Sequence, residues 1–185
     1  ATYKRATLLF RDPQRLADLL NNPDKPVILV FAGKAHPNDG PGQDLIRTIH
    51  NFAHKPEFQG RIILLEDYNM AMARSLVTGV DVWINTPQYP LEACGTSGMK
   101  AAMNGVLNLS VLDGWWGEAY NGRNGWGISP HGVDVDHEIR DREEANDLMD
   151  ILEHEVIPTF YNRGKQGYPK YWVKLSKGAM KSCIP

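Results

Sequence analysis

Four short apolar runs, separated by segments whose apolar residues return at helical spacing, constrain this chain more than anything else in it. Lys25 to Gly33 (KPVILVFAG), Arg61 to Leu65, Val80 to Ile84 and Val106 to Leu112 are short and rich in branched side chains, and they read as strands. The first is apolar on both faces, which suits burial between two helical layers. Between them, Leu45, Ile46, Ile49, Phe52 and Ala53, then Met70, Ala73, Leu76 and Val77, then Met99 to Met103, mark helices. Asp12 before Pro13 is a helix start ahead of Leu16, Leu19 and Leu20, and Asp67 is placed to cap the helix that follows the second strand. Ala145, Leu148, Met149, Leu152 and Val156 predict a helix ended by Pro158, and Tyr171 to Lys181 a final one. The alternation predicts an α/β fold, a Rossmann-like doubly wound parallel sheet with helices on both faces. Ligands of such sheets lie beyond the carboxyl ends of the strands, here the loops after Gly33, Glu66, Asn85 and Leu112.

Composition removes whole classes of function. A chain of 185 residues buries a core large enough to need neither disulfides nor a structural metal, and a single domain is expected. Cys94 and Cys183 are too few for a secreted disulfide scaffold, and no leader-like segment opens the sequence, so a cytoplasmic setting is expected. The longest fully apolar run, Val27 to Ala32, falls far short of the ~20 residues a membrane span requires. With 20 basic and 22 acidic side chains the formal charge is -2, which does not suit phosphate-backbone binding. Neither a membrane nor a nucleic acid is expected as a partner.

Most candidate motifs have a plain reading. His50 and His54 sit one helical turn apart, but Asn51 stands where a zinc protease carries its glutamate, so two solvated histidines are expected. The acidic run VDVDHEIRDREEAND lacks the glycine of a calcium loop and reads as a polar loop feeding a helix. Lys170, Lys174, Lys177 and Lys181 form one solvated helix face. The segment PLEACGTSGMKAAMNG, Pro90 to Gly105, is different. Gly95, Thr96, Ser97 and Gly98 place free backbone amides at a helix start, where dipole and unpaired donors together bind phosphate. It is not a P-loop, because the four-residue gap and the Lys-Ser/Thr ending are missing. Lys100 follows among Met99, Ala101, Ala102 and Met103, neighbours expected to strip water from its ammonium and make it reactive towards aldehydes. One group for an aldehyde beside one for a phosphate is what pyridoxal phosphate needs.

The segments FAGKAHP, LEDYNMAMA, EACGTSGMKAAMNG, LNLSVLDGWWGEAYNGRNGW and VIPTFYNRGKQGYPKYWVKLSK together resemble the C-terminal domain of an alpha-glucan phosphorylase of the glycogen and maltodextrin type. The likeness runs from about Ala1 to Lys181. It implies the C-terminal, pyridoxal-phosphate-bearing half of a GT-B fold over residues 1–185, with the N-terminal domain outside this chain. Lys100 then matches the lysine that forms the Schiff base with pyridoxal 5'-phosphate, and the Thr96 and Ser97 amides match those holding the cofactor phosphate. Tyr68 matches a tyrosine near that phosphate. Glu92 matches the carboxylate on a glucosyl hydroxyl, and Ala93, Cys94 and Gly95 match the backbone strip along the same sugar. Lys4 matches a lysine that binds the substrate phosphate. The sequence has Cys94, Ser97 and Gly98 where the better-known glycogen phosphorylase pattern has Ser, Gly and Asn, positions that act through backbone, so tuning without loss is expected.

The activity so implied is phosphorolysis of an alpha-1,4-glucan by inorganic phosphate to alpha-glucose 1-phosphate with retention. The cofactor's phosphate exchanges a proton with the substrate phosphate, and basic groups offset the repulsion between the two. The resemblance also implies a homodimer for the whole enzyme, and a piece of this extent is expected to fold but to be inactive alone, with apolar surface exposed where its partner domain sits. Two rival readings remain open at this point. One is a GT-B nucleotide-sugar glycosyltransferase of the glycogen or starch synthase type, in which Lys100 has no covalent role. The other is a non-catalytic glucan-binding domain whose Trp115, Trp116, Tyr120 and Trp126 form a sugar-stacking platform.

Overall fold

The computed structural model describes residues 1–183. Its elements are α1 (Pro13–Leu20), β1 (Leu29–Ala32), α2 (Gly40–Ala53), β2 (Ile62–Leu65), α3 (Met70–Gly79), β3 (Val82–Asn85), α4 (Thr96–Met103), β4 (Leu107–Val111), α5 (Gly114–Ala119), β5 (Gly125–Ile128), α6 (His137–Ile151), α7 (Ile157–Tyr161) and α8 (Lys170–Lys181). All pairings are parallel. β1 pairs with β2, placing Leu29 opposite Ile62, and β4 lies between β3 and β5. The expected α/β architecture is therefore present. Its sheet comes in two pieces, and among the described residues no ladder joins β1 to β3.

Every residue of β4 is buried, with α4, α5 and α8 packed around it. The other piece is built on an aromatic cluster in which Phe10 and Phe52 stack at 4.1 Å and Phe31 and Phe58 lean in from the sides. One expectation fails here: β1 is covered on one face only. Leu29 and Ile62 point inward, while the paired Val30 and Ile63 remain exposed, because α2 packs on one side of this piece and α3 buries no residue at all.

Local chemistry explains the remaining differences. Asp12 caps α1 by accepting from the Arg15 amide at 3.0 Å, as its sequence predicts. The cap of α3 is Asn69, whose Oδ1 accepts from Ala71 and Met72, and Asp67 instead takes a left-handed φ of 54° where the chain leaves β2. β5 lies in a glycine-rich stretch that carries no strand signal. Pro158 does not end the long helix. A proline ring collides with the carbonyl four residues earlier, and a π-helical turn over Leu152–Val156 moves that carbonyl aside, so the chain passes helically into α7.

Candidate active site

The site is assembled on the β3–β5 piece. The segment after β3 turns through Thr86 to Gly95 and delivers Glu92 into a buried position. The Lys4 ammonium meets both oxygens of that carboxylate, at 2.7 and 3.0 Å, and lies 3.4 Å from Asn85 Oδ1 at the end of β3. Tyr3 stands alongside, with the Lys4 ammonium 5.5 Å from its ring centre. Burial, then the nearby Glu92 and Asp113 carboxylates, push the Tyr3 phenol up from its ordinary value. Two residues assigned to different ligands in the sequence are thus ion-paired with one another. Without a ligand, the ammonium and the carboxylate neutralise each other.

The strip Glu92 to Gly95 is held from behind by α5. Asp113 Oδ2 accepts from the Glu92 amide and its Oδ1 from the Gly114 amide, both at 2.9 Å, while the Trp115 amide donates to Cys94 O at 2.9 Å. Gly114 makes this approach possible. Its φ is 54°, and a Cβ there would stand 2.6 Å from Cys94 O and 2.9 Å from Glu92 O. Gly114→Ala is accordingly expected to cost about 2 kcal/mol or more of stability and to displace Glu92. Urea unfolding checks this, and a midpoint equal to that of the parent would show the backbones to be looser than described.

Gly95 precedes α4 in a left-handed conformation, φ 87°, and no side chain caps that helix, so the Thr96 and Ser97 amides open α4 without a competing internal acceptor. A Cβ on Gly95 would fall 2.7 Å from Glu92 Oε1, which ties the glycine to the closeness of carboxylate and helix start. Lys100 follows one turn further along α4 but is exposed. This corrects the expected desolvation: α4 buries Gly98, Ala101 and Ala102, and Lys100 falls on the opposite face. Among the described residues no hydrogen bond ties the half-buried Tyr68, beyond β2, to Lys4 or Glu92. A separate crevice of about 440 Å³ does lie beyond the carboxyl ends of β1 and β2, lined in part by Lys34, Gln43, Glu66 and Asp67.

The aromatic platform is overturned. Trp116 and Trp126 are buried, Trp116 Nε1 donates to Trp126 O at 3.0 Å, and Trp126 packs on Trp172, so these rings build core. The paired histidines stay as expected: both are exposed on α2 and its end, and His54 Nδ1 meets His50 O at 2.8 Å. Tyr3 and Asp113 are functional candidates the sequence did not mark. Tyr3 was legible only as the neighbour of Lys4, and Asp113 lies 21 residues from the amide it holds.

The fold and the strip have known counterparts. Carbohydrate phosphorylases match residues 2–120, nearly two thirds of the chain. This chain belongs to the carbohydrate phosphorylase family. Glycogen phosphorylase of Aquifex aeolicus is 52% identical over 183 residues, 99% of this chain and 26% of that protein. Maltodextrin phosphorylase of Thermococcus litoralis is 49% identical, across 100% of this chain and 22% of its own length. The carbohydrate phosphorylase chain described here thus spans about a quarter of the length of these relatives. Among solved structures, Anabaena Alr3699/HepE in complex with UDP superposes over 99% of this chain and 41% of its own, with a TM-score of 0.65 and 17% identity. That likeness concerns the fold alone, a Rossmann-like half of a GT-B architecture.

Proposed function

We propose that this chain is the C-terminal, cofactor-bearing domain of an alpha-glucan phosphorylase, which cleaves alpha-1,4-glucans with inorganic phosphate to give alpha-glucose 1-phosphate with retention. The observation that carries the reading is the meeting of Lys4 with buried Glu92 beside the uncapped start of α4. Lys4 binds the substrate phosphate there. That releases Glu92 to accept from a glucosyl hydroxyl, and the Ala93, Cys94 and Gly95 backbone lies along the same sugar. The whole enzyme works as a homodimer in the cytoplasm, a reducing setting that suits the two free thiols of Cys94 and Cys183.

The residues fit pyridoxal 5'-phosphate: an uncapped helix start, a glycine where a Cβ would intrude on Glu92, and an accessible lysine one turn into the helix. Lys100 would hold its aldehyde carbon, the Thr96 and Ser97 amides its phosphate, and Tyr68 would stand near that phosphate. When bound, the group supplies a phosphate that exchanges a proton with the substrate phosphate. Lys4 then holds the substrate phosphate in place through this exchange and offsets its charge. The exposure of Lys100 fits a pocket completed by the N-terminal domain.

The deciding experiment gives maltoheptaose and phosphate to the full-length enzyme and to this chain alone. Glucose 1-phosphate is expected from the first and none from the second. Turnover of UDP-glucose without any need for phosphate would overturn the reading in favour of a nucleotide-sugar transferase.

A further inference from the structure

Trp116 and Trp126 are buried, but Trp115, the first aromatic residue of α5, is only half-buried. Its ring lies along the first turn of α4. A Cβ on Gly95 would stand 3.4 Å from its Cδ1, and a Cβ on Gly98 would stand 3.0 Å from its Nε1 and 3.5 Å from its Cζ2. The same residue donates its amide to Cys94 O at 2.9 Å. One residue therefore meets the sugar strip with its backbone and the helix start with its side chain.

Gly98 is closed in from a second direction. Asn108, buried in β4, donates from Nδ2 to Gly98 O at 3.0 Å, and its Oδ1 would stand 2.7 Å from a Cβ on Gly98. The first turn of α4 is thus gripped between an indole and a carboxamide, with no room for a side chain at position 98. The sequence has Gly98 where the better-known pattern has Asn, and here the indole takes up space that such a side chain would need.

This grip bears on binding because the free amides of a helix start point along its axis. The direction of the first turn is the direction in which Thr96 and Ser97 offer their hydrogens. Hydrogen bonds weaken steeply as they bend, and contacts along a ring lose much of their strength once a gap opens. A first turn without the indole behind it has one fewer restraint on its tilt.

We propose that Trp115 is a positioning residue for the phosphate site of α4: packed along Gly95 and Gly98, its ring holds the first turn so that the Thr96 and Ser97 amides meet the cofactor phosphate. The role towards phosphate rests on the function proposed above; the grip on Gly98 does not.

The test has two arms. In the first, spectrophotometric titration of the full-length enzyme, stripped of cofactor, compares pyridoxal 5'-phosphate with pyridoxal, which keeps the aldehyde and lacks the phosphate. Trp115→Ala is expected to weaken pyridoxal 5'-phosphate roughly tenfold while pyridoxal stays within about twofold, and Trp115→Phe, which keeps a flat ring, to weaken the phosphate compound only about threefold. A loss shared equally by pyridoxal, or no loss at all, overturns the positioning role. A parent enzyme that binds both compounds equally overturns the phosphate reading of α4 itself. The second arm needs no cofactor. In urea unfolding of the 185-residue chain, the fall in midpoint caused by Gly98→Ala is expected to shrink by about half in a Trp115→Ala background, Asn108 accounting for the rest. Strictly additive midpoints would overturn the grip.

Discussion

Borohydride reduction of this chain after incubation with pyridoxal 5'-phosphate is expected to leave the pyridoxyl label on Lys100 alone, and Lys100→Ala to carry none. The expectation is demanding, because 185 residues include many other exposed lysines, the four of the α8 stripe among them. What distinguishes Lys100 is its neighbour. It stands one turn into a helix whose leading amides are uncapped, so a compound with an aldehyde at one end and a phosphate at the other is held twice, and the two attachments raise the local concentration of each for the other. Peptide mapping reads the outcome. Label spread over the α8 lysines would mean that α4 offers no phosphate site. In the full-length enzyme, Lys100→Ala is expected to reduce phosphorolysis by about a thousandfold or more, the scale on which losing an essential group acts.

The largest expected effect on stability comes from Glu144→Ala. Glu144 is fully buried; one carboxylate oxygen accepts from the His131 amide at 3.1 Å, and the other pairs with Arg5. Without it Arg5 keeps only the partly exposed Asp141 as counter-charge, and a buried ion left half-paired costs about 3–5 kcal/mol. A loss of that size lowers the melting midpoint by roughly 10 °C in a domain of this length. Glu144→Gln, which keeps the shape and one acceptor, is expected to lose about half as much. A Glu144→Ala chain that melts within about 2 °C of the parent would remove the buried pair from any account of stability.

The elements legible in the sequence were those whose own residues decide them. Branched apolar runs became β1 to β4, and Asp12 with Pro13 opened α1, because both signals are local. β5 was missed for a physical reason: Gly125 is required there by a φ of 147° and by Asn108 O, 2.4 Å from where its Cβ would stand, and a residue demanded by a distant neighbour carries no strand propensity. Pro158 misled in the same way, since the π-helical turn that accommodates it depends on five residues of backbone and not on composition. At the site, EACGTSGMK announced its helix start, but the pairing of Lys4 with Glu92 spans 88 positions and only folding reveals it. A sugar platform of tryptophans was a rival reading, and the glycines interleaved with them equally allowed packing. Gly125 is what lets Trp116 close the core, since a Cβ there would stand 3.0 Å from the Trp116 ring.

The division of the sheet has a consequence for how the molecule moves. Strands that share a ladder open together, whereas two pieces that no ladder joins among the described residues are free to open with different free energies, as separate cooperative units. Lys4, Glu92, Asp113 and α4 all belong with the β3–β5 piece, whose central strand is wholly buried. Tyr68 and the crevice beyond β2 belong with the other. A ligand that touches both must hold the two units in one arrangement, and it draws rigidity from a chain that on its own has a seam through its sheet.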